Sequence, residues 1–265
     1  MRMLKIGAIL HASRITRQNK ELILRQLQGK KMLITGASSG FGRGIALACA
    51  AAGADLALVG RDQGRLDEVA GFVRNEGSQA VICVADIAVE AQVLATVTQA
   101  IEALGRIDVL VNNAGMNVTQ RSIKDTSSEQ WRQLIEVNLT AAFLFTKAVL
   151  PEMVARGEGT IINVASRAAL HPHLAGGVAY STSKQGMDAL TQVTNEEANP
   201  HGVRACLLCP GVGNTPLLDR RPVPPPQEQR LKMLQPEDLG AVVVLIASLP
   251  PRVNIDLVSM RPTRL

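Results

Sequence analysis

Lys31-Met-Leu-Ile-Thr-Gly-Ala-Ser-Ser-Gly-Phe-Gly42 reads as a short buried strand that runs straight into a glycine-rich turn, with a helix opening at about Gly40. Glycines at such a turn let the backbone reverse and approach a pyrophosphate, while the free N–H groups and dipole of the helix start favour negative charge. Glycine-rich turns also join strands to helices with no ligand. The strand before and the helix after are the context that a dinucleotide site requires. Gly44, one turn on, is expected to let this helix pack closely on the strand.

The pattern continues outward. Further aliphatic or β-branched runs lie at Asp55–Val59, Ala80–Val84, Ile107–Val111, Thr160–Val164 and Val203–Leu208, with a last one around Asp256–Met260. Helical periodicity fills the intervals at roughly 40–53, 62–76, 88–104, 128–155, 179–199 and 236–248. Strands apolar on both faces, alternating with helices, predict an α/β fold. The expected form is a single doubly wound (Rossmann) domain, a parallel sheet of about seven strands with helices on both faces. The domain is expected over 27–265, after a basic N-terminal extension over 1–26. Between Gly211 and Gln235, Pro216, Pro222, Pro224, Pro225 and Pro226 predict a long irregular loop near the substrate.

Composition narrows the function. Of 265 residues 46% are apolar, enough for a large core, and the apolar runs fall short of the roughly 20 residues that cross a bilayer. No membrane span is expected. Aromatics make up 2%, with Trp131 and Tyr180 the only residues of their kinds, so stacking platforms for nucleic acid lack material. The net charge of +5 lies in the leader: residues 1–28 hold six basic side chains and one acid, and the other 237 residues carry 22 of each sign. No nucleic-acid partner is expected. The leader lacks an apolar core of secretory length; an exposed helix, a start codon set too early and an organelle transit peptide each account for it, and the expected location is the cytoplasm. Cys206 and Cys209 form a Cys-x-x-Cys inside a strand-like run with no second ligand pair at metal spacing, so buried thiols are expected and no metal site.

Where NAD-selective folds place an acidic residue on the ribose 2′-hydroxyl, this chain has Gly60-Arg61. A guanidinium suits a 2′-phosphate, which favours NADP(H) over NAD(H), unless Arg61 is a solvated turn residue and the adjacent Asp62 takes the ribose. Tyr180 and Lys184 stand four apart at the start of a helix and share a face. A full charge ~5 Å from the phenol, at an effective dielectric of ~20, is worth about 3 kcal/mol, or roughly two pKa units. Tyr180 is therefore expected to become an acid or base usable near neutrality. Ser166, Asn112-Asn-Ala-Gly115 and Asn138 are expected to converge on the same crevice at the carboxyl ends of the strands.

The whole set resembles the short-chain dehydrogenase/reductase family over roughly residues 27–248. The motifs stand in family order: Thr35-Gly-x-x-x-Gly-x-Gly42, Asp86, Asn112-Asn-Ala-Gly115, Asn138, Ser166, Tyr180-x-x-x-Lys184, and Pro210-Gly211 with Thr215. The resemblance implies a catalytic set of Asn138, Ser166, Tyr180 and Lys184. Tyr180 would move the substrate proton and Ser166 would polarise the reacting oxygen. Lys184 would hold the nicotinamide ribose and lower the Tyr180 pKa, and Asn138 would support a water-linked relay. It places the cofactor against Thr35, Gly36, Ser38, Ser39, Gly40, Phe41 and Gly42, against Arg61, and against Asp86 and Ile87 near the adenine. The same implication gives Asn112, Ala114 and Gly115 near the ribose, and Tyr180, Lys184, Pro210, Gly211, Gly213 and Thr215 toward the nicotinamide.

The implied activity is hydride transfer between NADP(H) and a small carbonyl or secondary-alcohol substrate, in a homo-tetramer or homo-dimer built on the helices that carry Asn138 and Tyr180. A cofactor-binding regulator without turnover is the alternative, against which the intact Tyr180, Lys184, Ser166 and Asn138 count. Two departures stand out: Gly213 occupies a place where the family commonly has valine, and the glycine-rich C-terminal ending is missing. His171, His173, Arg220 and Arg221 either face a polar or anionic substrate or are solvated loop charges.

Overall fold

The computed structural model describes residues 26–264. Seven strands form one parallel sheet: β1 (Lys31–Thr35), β2 (Asp55–Gly60), β3 (Ala80–Val84), β4 (Val109–Asn112), β5 (Gly159–Val164), β6 (Val203–Pro210) and β7 (Leu257–Met260). The helices are α1 (Gly40–Ala51), α2 (Gln63–Asn75), α3 (Glu90–Leu104), α4 (Ser128–Arg156), α5 (Arg167–Leu170), α6 (Val178–Ala198), α7 (Gln227–Arg230) and α8 (Pro236–Ser248). The sheet order is β3-β2-β1-β4-β5-β6-β7. Apart from residue 26, the extension expected over 1–26 lies outside the described residues.

Strand alternation sorts the core into two layers. Met32 and Ile34 of β1 pack on one face with Ile45 of α1, Val69 of α2 and Val243 of α8. Leu33, between them, packs on the other with Val97 of α3 and the fully buried Phe145 of α4. Cys206 and Cys209, three apart on β6, fall in different core clusters for the same reason, and burial pushes their thiols up to about 12 and about 11. Among the described residues no three His, Cys, Asp or Glu side chains stand together as a metal set.

Gly44 differs from its expected role. A Cβ there would lie 2.5 Å from Pro236, so the glycine brings α1 against α8, helix on helix, and not onto the strand.

The long helix α4 opens on a capping box in which Ser127 and Gln130 each satisfy the other's backbone N–H. It widens into a π turn at Glu136–Thr140 and stops at Gly157, which has φ +72°. By length and composition alone α4 is apolar enough to cross a membrane, which runs of apolar residues did not reveal, because the apolar positions are interspersed with polar ones. Here it covers β4 and β5 through Leu144, Phe145, Val149 and Met153.

The proline-rich segment is more regular than expected. Pro216 opens a 3-10 turn over Pro216–Arg220 and Pro226 precedes α7. Proline has no N–H to lose at the start of a helical turn, so it is tolerated there. Leu218, Met233 and Leu234 are buried, and Leu234 exchanges backbone hydrogen bonds with Val212 and Asn214. The segment is a folded flap.

Candidate active site

The direction of winding reverses between β1 and β4, and a crevice forms where the loops leaving these strands part. Gly36, at φ +67°, would carry a Cβ 2.9 Å from the Ala114 Cα. The two loops touch there. Thr35 fastens them, its hydroxyl accepting from the Asn113 and Ala114 N–H groups, each at 3.0 Å. Asn113 Nδ2 donates to the Thr35 carbonyl at 2.9 Å.

At Gly42 a Cβ would sit 2.1 Å from the Gly36 carbonyl oxygen, so only glycine lets α1 begin this close to the turn. Ser39 stands at the N-cap of α1 with its side chain making no capping bond, which leaves that helix start open. Ser38 lies beside Gly60 at the end of β2. Thr215 rests on Gly40, with its methyl 3.2 Å from where a Cβ would be. This backbone cradle fits a dinucleotide's phosphates.

At the outer end of β2, Arg61 is exposed. Asp62 is committed elsewhere, accepting from the Arg65 N–H at 3.1 Å as the cap of α2 and pairing with the Arg65 guanidinium at 3.3 Å. Of the two candidates for the ribose, the cation is the one without a partner among the described residues. Asp86 closes the turn after β3 through the Ala88 N–H at 3.1 Å, and Ile87 is half-buried against the core beside it.

The reactive end is a cleft of about 290 Å³. Tyr180, Lys184 and Ser166 line it together with Phe41, Gly115, Pro210, Gly211, Gly213 and Thr215. Tyr180 and Lys184 come from the first turns of α6, and the Lys184 Nζ is 5.9 Å from the Tyr180 ring centre. Ser166 lies two residues beyond β5, where its hydroxyl accepts from the Ala168 N–H at 3.1 Å as the cap of α5. Asn138 sits buried in the π turn of α4, the kind of irregularity that re-aims a side chain inside a helix. Its Oδ1 accepts from the Met116 N–H at 2.7 Å, and its Nδ2 donates to the Met116 carbonyl and the Ser183 hydroxyl. The Asn138 side chain therefore positions the β4–α4 loop.

Three expectations need correction. First, the Asn112 side chain does not face the cofactor crevice. It is buried, donating to Asn163 Oδ1 at 2.9 Å and to Thr146 Oγ1 at 3.3 Å, between β5 and α4. Asn113 lines the cleft in its place. Second, the Thr35 hydroxyl is a brace between loops and is buried.

Third, Tyr180 is not acidified by Lys184. Burial raises its pKa above the ordinary value, opposed by the Ser166 hydroxyl and by the charges of Arg121 and Arg221. Lys184 turns its ammonium to the Val164 carbonyl at 3.0 Å and the Met187 sulfur at 3.3 Å, and burial lowers its own pKa to about 8.

Arg121 was not singled out in the sequence; it follows the Asn-Asn-Ala-Gly loop with no motif to mark it. Of the four loop cations considered, Arg221 and His173 line the cleft, while Arg220 and His171 are exposed outside it.

Residues 30–223 match the short chain dehydrogenase family. An uncharacterized oxidoreductase of Staphylococcus saprophyticus is 34% identical over 89% of this chain and 99% of its own length. A metagenomic short-chain oxidoreductase solved in complex with NADP is similar in structure, with a TM-score of 0.78 and 33% identity over 90% of this chain and 99% of that one. So is a 3-ketoacyl-(acyl-carrier-protein) reductase from Brucella melitensis solved with NADH, with a TM-score of 0.80 and 31% identity over 90% and 99% of the two chains. With the family matched over residues 30–223 and a relative 34% identical over 89% of this chain, the protein belongs to the short-chain dehydrogenase family.

Proposed function

We propose that this protein is an NADP(H)-dependent oxidoreductase that interconverts a secondary alcohol and a ketone, with Tyr180 as the general acid and base. The observation that carries this reading is the placement of Tyr180, Ser166 and Lys184 on one cleft that opens next to the glycine cradle. The cofactor, when bound, supplies or accepts the hydride.

The chain's own residues do the rest. In the reductive direction Tyr180 delivers its proton to the carbonyl oxygen as that oxygen gains charge. Ser166 donates its one hydrogen bond to the same oxygen, and the charges of Arg121 and Arg221 favour the phenolate that remains. Lys184, buried between Val164 and the Tyr180 ring, holds the cofactor's ribose and carries a proton that exchanges near pH 8. Asn138 fixes the loop through Gly115 and Met116, which keeps the floor of the cleft in place for a proton relay. The open N-terminus of α1 takes the pyrophosphate, Arg61 with Ser38 takes the 2′-phosphate, and Asp86 and Ile87 flank the adenine.

The preference for NADP rests on Arg61 having no partner among the described residues and on Asp62 being engaged; the NADP-bound structural relative is consistent with it and the NADH-bound one marks the alternative. The exposed apolar side chains Trp131 and Phe143 of α4 and Val193 of α6 support a homo-dimer or homo-tetramer through those helices. A panel of ketones and secondary alcohols, followed by NADPH absorbance beside NADH, tests the activity. Turnover with NADPH in clear excess over NADH is expected. Stoichiometric NADPH binding without oxidation across the panel would instead support a silent cofactor-binding regulator.

A further inference from the structure

The cleft beside Tyr180 is lined by Arg121, Arg167 and Arg221, and among the described residues by no aspartate or glutamate. Arg167 is turned away to the Ser259 hydroxyl on β7 at 3.3 Å. Arg121 and Arg221 are different. Both line the cleft with Tyr180 and Ser166, and the charge of each favours the Tyr180 phenolate.

Arg121 is held in position by three main-chain carbonyls. Its Nε donates to Val118 at 3.1 Å, one Nη to Ala175, and the other to Arg220 of the flap at 3.3 Å. Gly177, just before α6, has room for no side chain, because its Cβ would meet the Arg121 Cβ at 2.9 Å. Carbonyls orient a guanidinium without neutralising it, and three bonds leave two of its five N–H donors uncommitted.

No described carboxylate comes within ion-pair distance of Arg121 or Arg221, since the acids of the flap are engaged elsewhere, Asp219 with Arg230 and Glu228 with Lys232. The guanidinium of Arg221 makes no hydrogen bond to any described residue. The two cations also disfavour each other: burial and then the Arg221 charge reduce the proton affinity of Arg121. Like charges held together in a partly enclosed space, with no acid between them, are relieved by an anion from outside. The planar fork of arginine matches a carboxylate.

We propose that the substrate is a small oxo or hydroxy acid whose free carboxylate is gripped by Arg121 and Arg221 while its reacting carbon faces Tyr180. This assignment rests on the oxidoreductase reading above and names the substrate class for it. The balance is unchanged. The oxo carbon gains a hydride as NADPH becomes NADP⁺, its oxygen gains the Tyr180 proton, solvent restores that proton, and the carboxylate takes no part in bond making. The flap, tied to Arg121 through the Arg220 carbonyl and carrying Arg221, becomes the specificity element.

The test compares 2-, 3- and 4-oxo acids with their methyl esters, with neutral ketones of matched length, and with dihydroxyacetone phosphate, all under saturating NADPH. For the best oxo acid, kcat/KM should exceed that of its ester by roughly 10- to 100-fold, the range of a charge-assisted contact. In Arg221→Ala, and equally in Arg221→Gln should the first variant fold poorly, this ratio should fall to within about threefold, mostly through KM. Arg221→Lys should retain part of it. Equal rates for acid and ester in the parent protein, an unchanged ratio in the Arg221 variants, or a clear preference for the phosphate overturns the carboxylate assignment while neutral-ketone turnover leaves the oxidoreductase reading standing. Absence of turnover on every carbonyl, with NADPH bound, overturns both.

Discussion

Tyr180 and Lys184 illustrate how burial reverses an argument made from charge alone. Spacing in the sequence brings the pair to one face, but a lysine only 2% exposed pays the desolvation of its own charge first, and its pKa falls to about 8. The consequence for stability has a definite sign. Between about 8 and the ordinary 10.5 the unfolded chain binds more protons at Lys184 than the folded one, so folding stability rises with pH across that window. The full span is worth about 3 kcal/mol. Tyr180, raised by burial, works oppositely once pH passes its ordinary 10, which keeps the useful range below that. Urea midpoints of the cofactor-free protein from about pH 8 to 9.5 should therefore climb more steeply, or fall less, than those of Lys184→Met; parallel curves would contradict the buried-ammonium account. At the ribose end, Arg61→Ala should weaken NADPH roughly 10- to 100-fold and NADH by no more than about threefold, measured by fluorescence titration. Equal losses for both cofactors would remove the phosphate clamp. The sequence could name these residues because their types are scarce and chemically marked. It could not tell Asn112 from Asn113: adjacent residues at a strand end point to opposite sides, and which one meets the crevice depends on register.

Among elements, the glycine turn and the β6 flap explain one departure from the family pattern through another residue. A Cβ at Gly213 would fall 2.0 Å from the Phe41 ring, so the aromatic ring at the start of α1 occupies the space that a side chain at 213 needs. The glycine is thus matched to Phe41 across the cleft. Gly213→Val should cost about 1–3 kcal/mol through overpacking, and adding Phe41→Ala should recover at least about 1 kcal/mol of it in a double-mutant cycle on thermal stability. Additive losses would mean that the two positions do not compete for one space. The strands and most helices were legible to within two or three residues, since aliphatic runs buried on both faces leave few other readings. The π turn in α4 was not legible, because Glu136–Thr140 carries no breaker, and the contact it serves, from Asn138 to Met116, joins residues 22 apart in the chain. The folded flap was hidden by the prolines, which were read as excluding helical turns when they only exclude helix interiors.

For the whole molecule, the β1/β4 reversal in strand order decides where everything else must be. It opens one crevice at the carboxyl ends, and the cradle, Arg61 and the Tyr180 cleft lie along that rim because the ends of β1, β2, β4, β5 and β6 share it. This was readable from the alternation of strand and helix; the charge distribution inside the crevice, with Arg121 and Arg221 drawn from loops a hundred residues apart, was not. Light scattering on the intact protein should give two or four times the 28.2 kDa protomer mass, and Phe143→Glu should shift it toward the monomer; a protomer mass for the parent protein would contradict assembly through α4 and α6. The central claim, that the Tyr180 phenol is the proton carrier of a cofactor-dependent hydride transfer, is most directly tested by single-turnover NADPH oxidation in Tyr180→Phe with an accepted substrate. The account predicts a rate lower by at least about 100-fold, with NADPH affinity within about threefold of the parent protein. A rate within about tenfold of the parent would contradict it.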